Sequence, residues 1–260
     1  MAPVYPDINH LYSLYRAHPR VTTDTRHMEP GGIFFALSGP NFDGNAFAGQ
    51  AIARGAVAAV VSDPGLTGSA FIHVEDPLSA LQALARYHRA QLDIPVIGIT
   101  GSNGKTTTKE LLHRVLSGRY QTFATRGNLN NHIGVPLSLL AIDDTVEVAV
   151  IEMGANHVGE IRSLCSMARP THGVITNIGQ AHLEGFGGIE GIKRGKAELF
   201  DALAANGGVA FVHAGQPHLD DLSQRVARRV LYRFGDVPHC AQDSVVLVRE
   251  KGAEQIALQV

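Results

Sequence analysis

The chain has 260 residues, with 22 basic against 24 acidic side chains and a formal charge of −2 when histidine is neutral. Hydrophobic residues make up 45% and charged ones 18%, which excludes a disordered chain, and the near balance of charge argues against a general nucleic-acid binder or a polybasic membrane binder. Glycine is in excess at 28 residues, which points to tight turns and to backbone that approaches a ligand closely.

In chain order, the opening MAPVYPDINH has neither a basic nor an apolar signal region, so no secretory leader is expected. Ile8, Leu11, Leu14 and Tyr15 recur at helical spacing. IFFAL (33–37), VAAVV (57–61) and AFIHV (70–74) read as short strands, with a helix-like AFAGQAIARG (46–55) between the first two. Pro77 opens a helix that carries Leu78, Leu81, Leu84 and Ala85 on one face and ends near Gln91; LDIP (92–95) marks a boundary. A small mixed domain is therefore expected over 1–91, and a second over 92–260.

From Pro95 the pattern becomes strand, helix, strand, helix. Apolar runs fall at 96–100, 146–151, 173–178, 208–212 and 229–234, with helical patterns at about 105–117, 157–168, 188–204 and 217–227. Such alternation predicts an α/β fold: a mostly parallel, doubly wound sheet with helices on both faces. SVVLVRE (244–250) and EQIALQV (254–260) suggest a terminal β-hairpin. No apolar run approaches the ~18 residues that span a bilayer. Cys165 and Cys240 make neither a disulfide scaffold nor a CxxC pair, so a reduced, cytoplasmic setting is expected.

The strongest local signal is VIGITGSNGKTTTKELL (96–112), an apolar strand running into Gly101, Ser102, Asn103, Gly104, Lys105, Thr106 and Thr107 as a helix begins. Glycines let backbone N–H groups curl around phosphate, the helix N-terminus adds positive potential, Lys105 reaches the β- and γ-phosphates, and the Thr106 hydroxyl is placed for Mg²⁺. Ile99 stands where the strict P-loop pattern has glycine, so the match is to a G-x-x-G-K-T-T variant. A ligand-free strand-to-helix turn is the weaker alternative.

Nucleotide chemistry in doubly wound sheets gathers at the carboxyl ends of the strands. Glu152 ends the run 146–151 and resembles the acidic strand end that holds Mg²⁺ in P-loop enzymes. His182 follows the run 173–178 in a glycine-bearing loop, although Mg²⁺ prefers oxygen ligands.

TGSNGKTTTKELL, GNLNNHIGVPLSLL (127–140), EMGANHVGEI (152–161) and NIGQAHLEGFGGIEGIKRGKAELF (177–200) together resemble the Mur ligases, and TTDTR (22–26) with 33–51 looks like their N-terminal UDP-substrate domain. The resemblance covers nearly the whole chain in the family's order. It implies an ATP-dependent amide ligase that activates a carboxylate as an acyl phosphate, in particular one that joins D-alanyl-D-alanine to UDP-N-acetylmuramoyl-tripeptide. It also implies two Mg²⁺ ions, one held by Thr106 and Glu152 and the other by Glu152 and His182, with a carbamylated lysine beside the second at Lys196. A carbamate needs a neutral amine, so Lys196 should be partly desolvated or placed beside positive charge. Lys105, Glu152, His182 and Lys196 form the implied catalytic set, and a monomer is the family default.

For the substrate, Thr25 and Arg26 could meet the UDP part, or form a structural Asp-Arg turn. Asn128, Asn130 and Asn131 offer donors and acceptors for a peptide or sugar, or serve as turn formers. Two departures stand out: His213-Ala214-Gly215-Gln216 replaces an Asn-Ala-Asp-type segment, and the family continues well past Val260, through the end of the ATPase domain and a third domain. The competing expectations are a UDP-sugar or ATP-binding module without turnover, a sister ligase with another amine, and an unrelated P-loop kinase or GTPase.

Overall fold

The computed structural model describes residues 7–179, 183–234, 244–248 and 257–259. Contacts divide the chain into two units: Met1–Asp93 with Pro136–Asp144, and Ile94–Val135 with Thr145–Val260.

The first unit holds α1 (Ile8–Ala17), β1 (Val21–Thr22), β2 (Ile33–Phe35), a small antiparallel pair β3 (Ser38–Gly39) and β4 (Phe42–Asp43), α2 (Ala48–Ala53), β5 (Ala58–Val61), β6 (Phe71–His73) and α3 (Pro77–Gln91). Its parallel sheet runs β1-β2-β5-β6. One core cluster gathers Phe34 and Ala36 with Ala48 and Ala51 of α2 and Ala59 and Val61 of β5. Helix α3 starts where the sequence predicts, because Pro77 has no N–H to lose and Asp76 accepts from the Leu78 and Ser79 amides at 3.2 and 3.0 Å. The expected helix over 46–55 begins instead as a 3₁₀ turn, Gly44–Phe47, capped by Asp43.

Pro136–Asp144, distant in sequence, belongs to this unit. Buried Tyr15 donates to the Leu140 carbonyl at 2.8 Å, and buried His88 reaches the Ile142 carbonyl through Nε2 at 2.9 Å.

The second unit contains β7 (Val96–Thr100), α4 (Lys105–Leu116), β8 (Thr122–Ala124), the start of α5 (Gly134–Leu139), β9 (Val148–Glu152), α6 (Glu160–Ala168), β10 (His172–Ile175), α7 (Leu183–Phe186), α8 (Ile189–Asn206), β11 (Val209–His213), α9 (Pro217–Ser223), β12 (Arg228–Phe234), β13 (Ser244–Val248) and β14 (Ala257–Gln259). The sheet order is β14-β13-β12-β11-β10-β7-β9-β8. Every neighbouring pair is parallel except β13 with β14, which is antiparallel at the edge. The fold is thus the doubly wound α/β sheet that the alternating pattern predicts, with β7 central and the chain leaving it first toward β8 and β9, then toward β10. That reversal is a topological switch point, where such sheets open a crevice at the carboxyl ends of their strands.

Two ends differ from expectation. β9 begins at Val148 rather than 146, ending at Glu152 as expected, and β10 stops at Ile175, since Thr176 to Gly179 turn to bond the loop after β7. No helix among the described residues is long and apolar enough to cross a membrane.

Candidate functional site

The loop joining β7 to α4 is held by the segment that follows β10. The Ser102 amide donates to the Asn177 carbonyl at 3.1 Å, the Asn103 amide to Asn177 Oδ1 at 2.9 Å, and the Thr176 hydroxyl to the Asn103 carbonyl at 2.6 Å. Ser102 Oγ accepts from the Gly179 amide at 2.9 Å. Gly101, at φ +144°, lies so close to Thr176 that a Cβ would sit 2.0 Å from its Oγ1. Gly104, at φ +78°, turns the chain into α4, where no side chain caps the first amides. The outcome is a fixed loop leading into an uncapped helix N-terminus, the local requirement for an anion.

Lys105 opens that helix, and its Nζ donates to the carbonyls of Gly101 and Ser102 at 2.8 and 3.3 Å. Burial lowers its pKa, opposed by the charge of Glu152. One residue on, Thr106 Oγ1 lies 3.2 Å from Glu152 Oε1, which also accepts from Asn130 Nδ2 at 2.8 Å. The Glu152 amide donates to buried Thr125 at 3.0 Å. Glu152 is buried to 1% exposure, and its Oε2 has no hydrogen-bond partner. An unsatisfied buried carboxylate oxygen is costly, on the order of a few kcal/mol. With a hydroxyl and a carboxylate oxygen converging beside the phosphate loop, the donors suit a hard divalent cation. Among the described residues no three His, Cys, Asp or Glu side chains converge; the hydroxyl beside Glu152 is that of Thr106.

Lys196, on α8, is buried, and its Nζ donates to the Ala155 carbonyl at 3.3 Å and lies 5.2 Å from the Phe186 ring centroid. Burial first, and then the charge of Lys105, pull its amine down to about 8. Desolvation and a neighbouring cation, either of which favours the neutral amine that a carbamate needs, are both present. Lys193 instead pairs with Glu190 at 2.7 Å on the surface. Beside these residues opens a cavity of about 510 Å³, lined by Lys105, Asn130, Asn131, His132, Ala155, Asn156 and Glu160 among others.

Lys105, Thr106, Glu152 and Asn130 are thus brought together directly, with Lys196 contributed by α8. His182 lies outside the described residues. Asn131 turns to a local task, its Oδ1 accepting from the Ile133 and Gly134 amides at 3.0 and 2.8 Å at the start of α5. Asn128 is exposed, and its carbonyl accepts from the Asn130 amide. In the first unit, Arg26 is paired with Asp24, Nη2 to Oδ2 at 2.7 Å, while the Asp24 side chain also accepts the Arg26 amide. Thr25 donates to Gln50 at 2.8 Å. This is the turn that the sequence allows as the alternative to a UDP contact.

The sequence reading does not single out Lys109, Glu160 or Glu198. Lys109, fully buried, sits one helical turn after Lys105, an i, i+4 signal open to view. Glu160 accepts from the Asn156 and His157 amides at 2.6 and 3.2 Å, and Glu198, also buried, accepts from those of Gly159 and Arg162 at 2.7 and 2.8 Å. Glu198 thereby caps α6 from another helix, which no local pattern announces.

Two family models match the chain: Mur ligase middle domain over residues 99–249, and Mur ligase family, catalytic domain, over 20–89. A UDP-N-acetylmuramoyl-tripeptide--D-alanyl-D-alanine ligase of Bacillus subtilis is 45% identical over 74% of this chain and 43% of its own length. Among solved structures, MurF from Acinetobacter baumannii superposes with a TM-score of 0.77 at 37% identity, covering 90% of this chain and 54% of that one. The MurF ligase of Thermotoga maritima in complex with ADP gives 0.76 at 33% identity, over 84% and 51%. The chain spans about half the length of the relatives it matches.

Proposed function

The chain belongs to the Mur ligase family, and we propose that it supplies the phosphate-handling and UDP-substrate parts of an ATP-dependent ligase joining D-alanyl-D-alanine to UDP-N-acetylmuramoyl-tripeptide. The observation that carries this reading is the meeting of Lys105, Thr106 and the half-satisfied Glu152 at the switch point of the sheet. Relatives at 45% and 42% identity bear that ligase's name.

Lys105 exchanges its two loop carbonyls for phosphate oxygens, and the uncapped amides of Lys105 to Thr107 hold the phosphate chain in line, while those of Ser102 and Asn103 fix the loop on Asn177. Thr106 and Glu152 would hold one Mg²⁺, and Glu152 with His182 the second. When bound, these ions neutralise charge between the nucleotide and the carboxylate that becomes the acyl phosphate. Lys196, as its carbamate, would present oxygen to the second ion; in forming it, neutral amine and CO₂ would join and one proton would leave. Asn130 fixes the orientation of Glu152. The first unit takes the UDP part through Thr25 and Arg26, and Asn128 and Asn131 border the peptide.

The test is phosphate release from ATP. Release that requires both the UDP-tripeptide and D-alanyl-D-alanine, together with ADP binding that Lys105→Ala weakens about 100-fold, supports the assignment. Turnover with a single amino acid in place of the dipeptide would move the chain to a sister ligase, and ADP binding indifferent to Lys105 would overturn the phosphate site itself.

A further inference from the structure

Lys109 takes no part in the scheme above, yet its side chain is 1% exposed and its Nζ stands 3.8 Å from Glu152 Oε2, the buried oxygen without a hydrogen bond. That spacing is too long for a hydrogen bond and short enough for strong Coulomb attraction in a buried setting. The same ammonium lies 3.1 Å from Glu110 Oε1, on the protein surface, and 3.5 Å from the Gly127 carbonyl. Lys105 also feels the charge of Glu152, but its ammonium is hydrogen-bonded to the Gly101 and Ser102 carbonyls, and the ion pair to Oε2 is made by Lys109.

We propose that Lys109 is the resident counter-cation of Glu152, a positioning residue that compensates the carboxylate while no metal is bound and yields that task when a divalent cation arrives. This rests on the reading of Glu152 as a metal carboxylate. Glu152 is flanked asymmetrically: Oε1 is fixed by neutral donors from Thr106 and Asn130, while Oε2 faces only an ammonium beyond bonding distance. An ammonium with Glu110 and Gly127 already within reach does not become an orphan when Glu152 takes another partner. Gly127 also lies in the loop that carries Asn130, so the lysine braces the loop whose asparagine aims the other oxygen.

The experiment titrates the protein with Mn²⁺ alone and counts free ion by electron paramagnetic resonance. Lys109→Met, close in volume and without charge, is expected to bind Mn²⁺ about tenfold more tightly than wild type, since a like charge has been removed. It should also be less stable without metal and recover more on adding Mn²⁺. Equal or weaker Mn²⁺ binding by Lys109→Met overturns the inference, as does binding in neither protein. Glu152→Gln separates the two readings: if it leaves Mn²⁺ binding intact, the assignment of Glu152 to metal fails, whatever Lys109 does. Should Lys109→Met not fold, the double variant Lys109→Met/Glu152→Gln decides. Removing both charges should restore folding, because an isolated buried charge is the defect; a double variant that stays unfolded would make Lys109 a packing residue and overturn the proposal.

Discussion

Arg26 and Lys105 are both cations proposed to meet phosphate, one in each unit, and their surroundings are opposite. Arg26 is exposed, and Asp24 takes its guanidinium through both carboxylate oxygens, holding that carboxyl well below its usual range. Lys105 is half-buried, rests on two backbone carbonyls and carries a lowered pKa. The first has its charge answered by a neighbour two residues away; the second is held by weaker, neutral acceptors that a phosphate can displace. A cation prepared for a ligand is one whose present partners are poorer than the ligand would be.

If that contrast is sound, the largest effects lie in the second unit. Lys196→Ala should lower phosphate release about 10²- to 10³-fold, the range for losing one group that stabilises developing charge. Because its amine lies near 8, the neutral form that reacts with CO₂ is the minority below that pH and the majority above it. Carbamate occupancy, followed by carbon-13 NMR with labelled bicarbonate, should therefore rise from pH 7 to pH 9, and an occupancy that falls over that interval would contradict the assignment. An intermediate effect is expected at Gly101. Alanine there forces a Cβ onto Thr176, for about 1–3 kcal/mol of lost stability in chemical denaturation. Thr176→Ala should return part of that, since the Thr176 and Asn177 amides remain 3.1 and 3.2 Å from the added carbon. The smallest effect belongs to Arg26→Ala. Stability should stay near wild type, and the KM for the UDP substrate should rise only about two- to threefold, because Asp24 competes with phosphate for the guanidinium. A KM raised tenfold or more would show that the arginine leaves Asp24 for the substrate, and the comparison would need redrawing.

Much of the central sheet was legible because β7 and β9 are almost wholly buried and read as unbroken apolar runs. The phosphate loop was legible because glycine at Gly101 and Gly104 answers a backbone need that no other residue meets cheaply. β8 was not, since three residues at a sheet edge, Thr122–Ala124, leave too little period to detect. Glu152 was read from its place at a strand end beside the phosphate loop, and Lys196 from the resemblance; what the residues alone could not disclose is burial, which separates Lys196 from Lys193, three positions away and paired with exposed Glu190. Lys109 could have been found from its spacing to Lys105, but only the folded chain shows which carboxylate it faces.

Pro136–Asp144 has a practical bearing on how the molecule is dissected. A fragment cut at the apparent boundary near Asp93 would lose the carbonyls of Leu140 and Ile142 that Tyr15 and His88 use, and the Asp144 carboxylate that Arg16 grips at 2.8 Å. Two polar groups now buried would then lose their backbone partners and be uncovered to water, in a piece that a linear map would declare whole. Isolating the first unit calls for grafting those nine residues back through a short flexible linker, so that the recombinant fragment keeps the strip of chain that closes it.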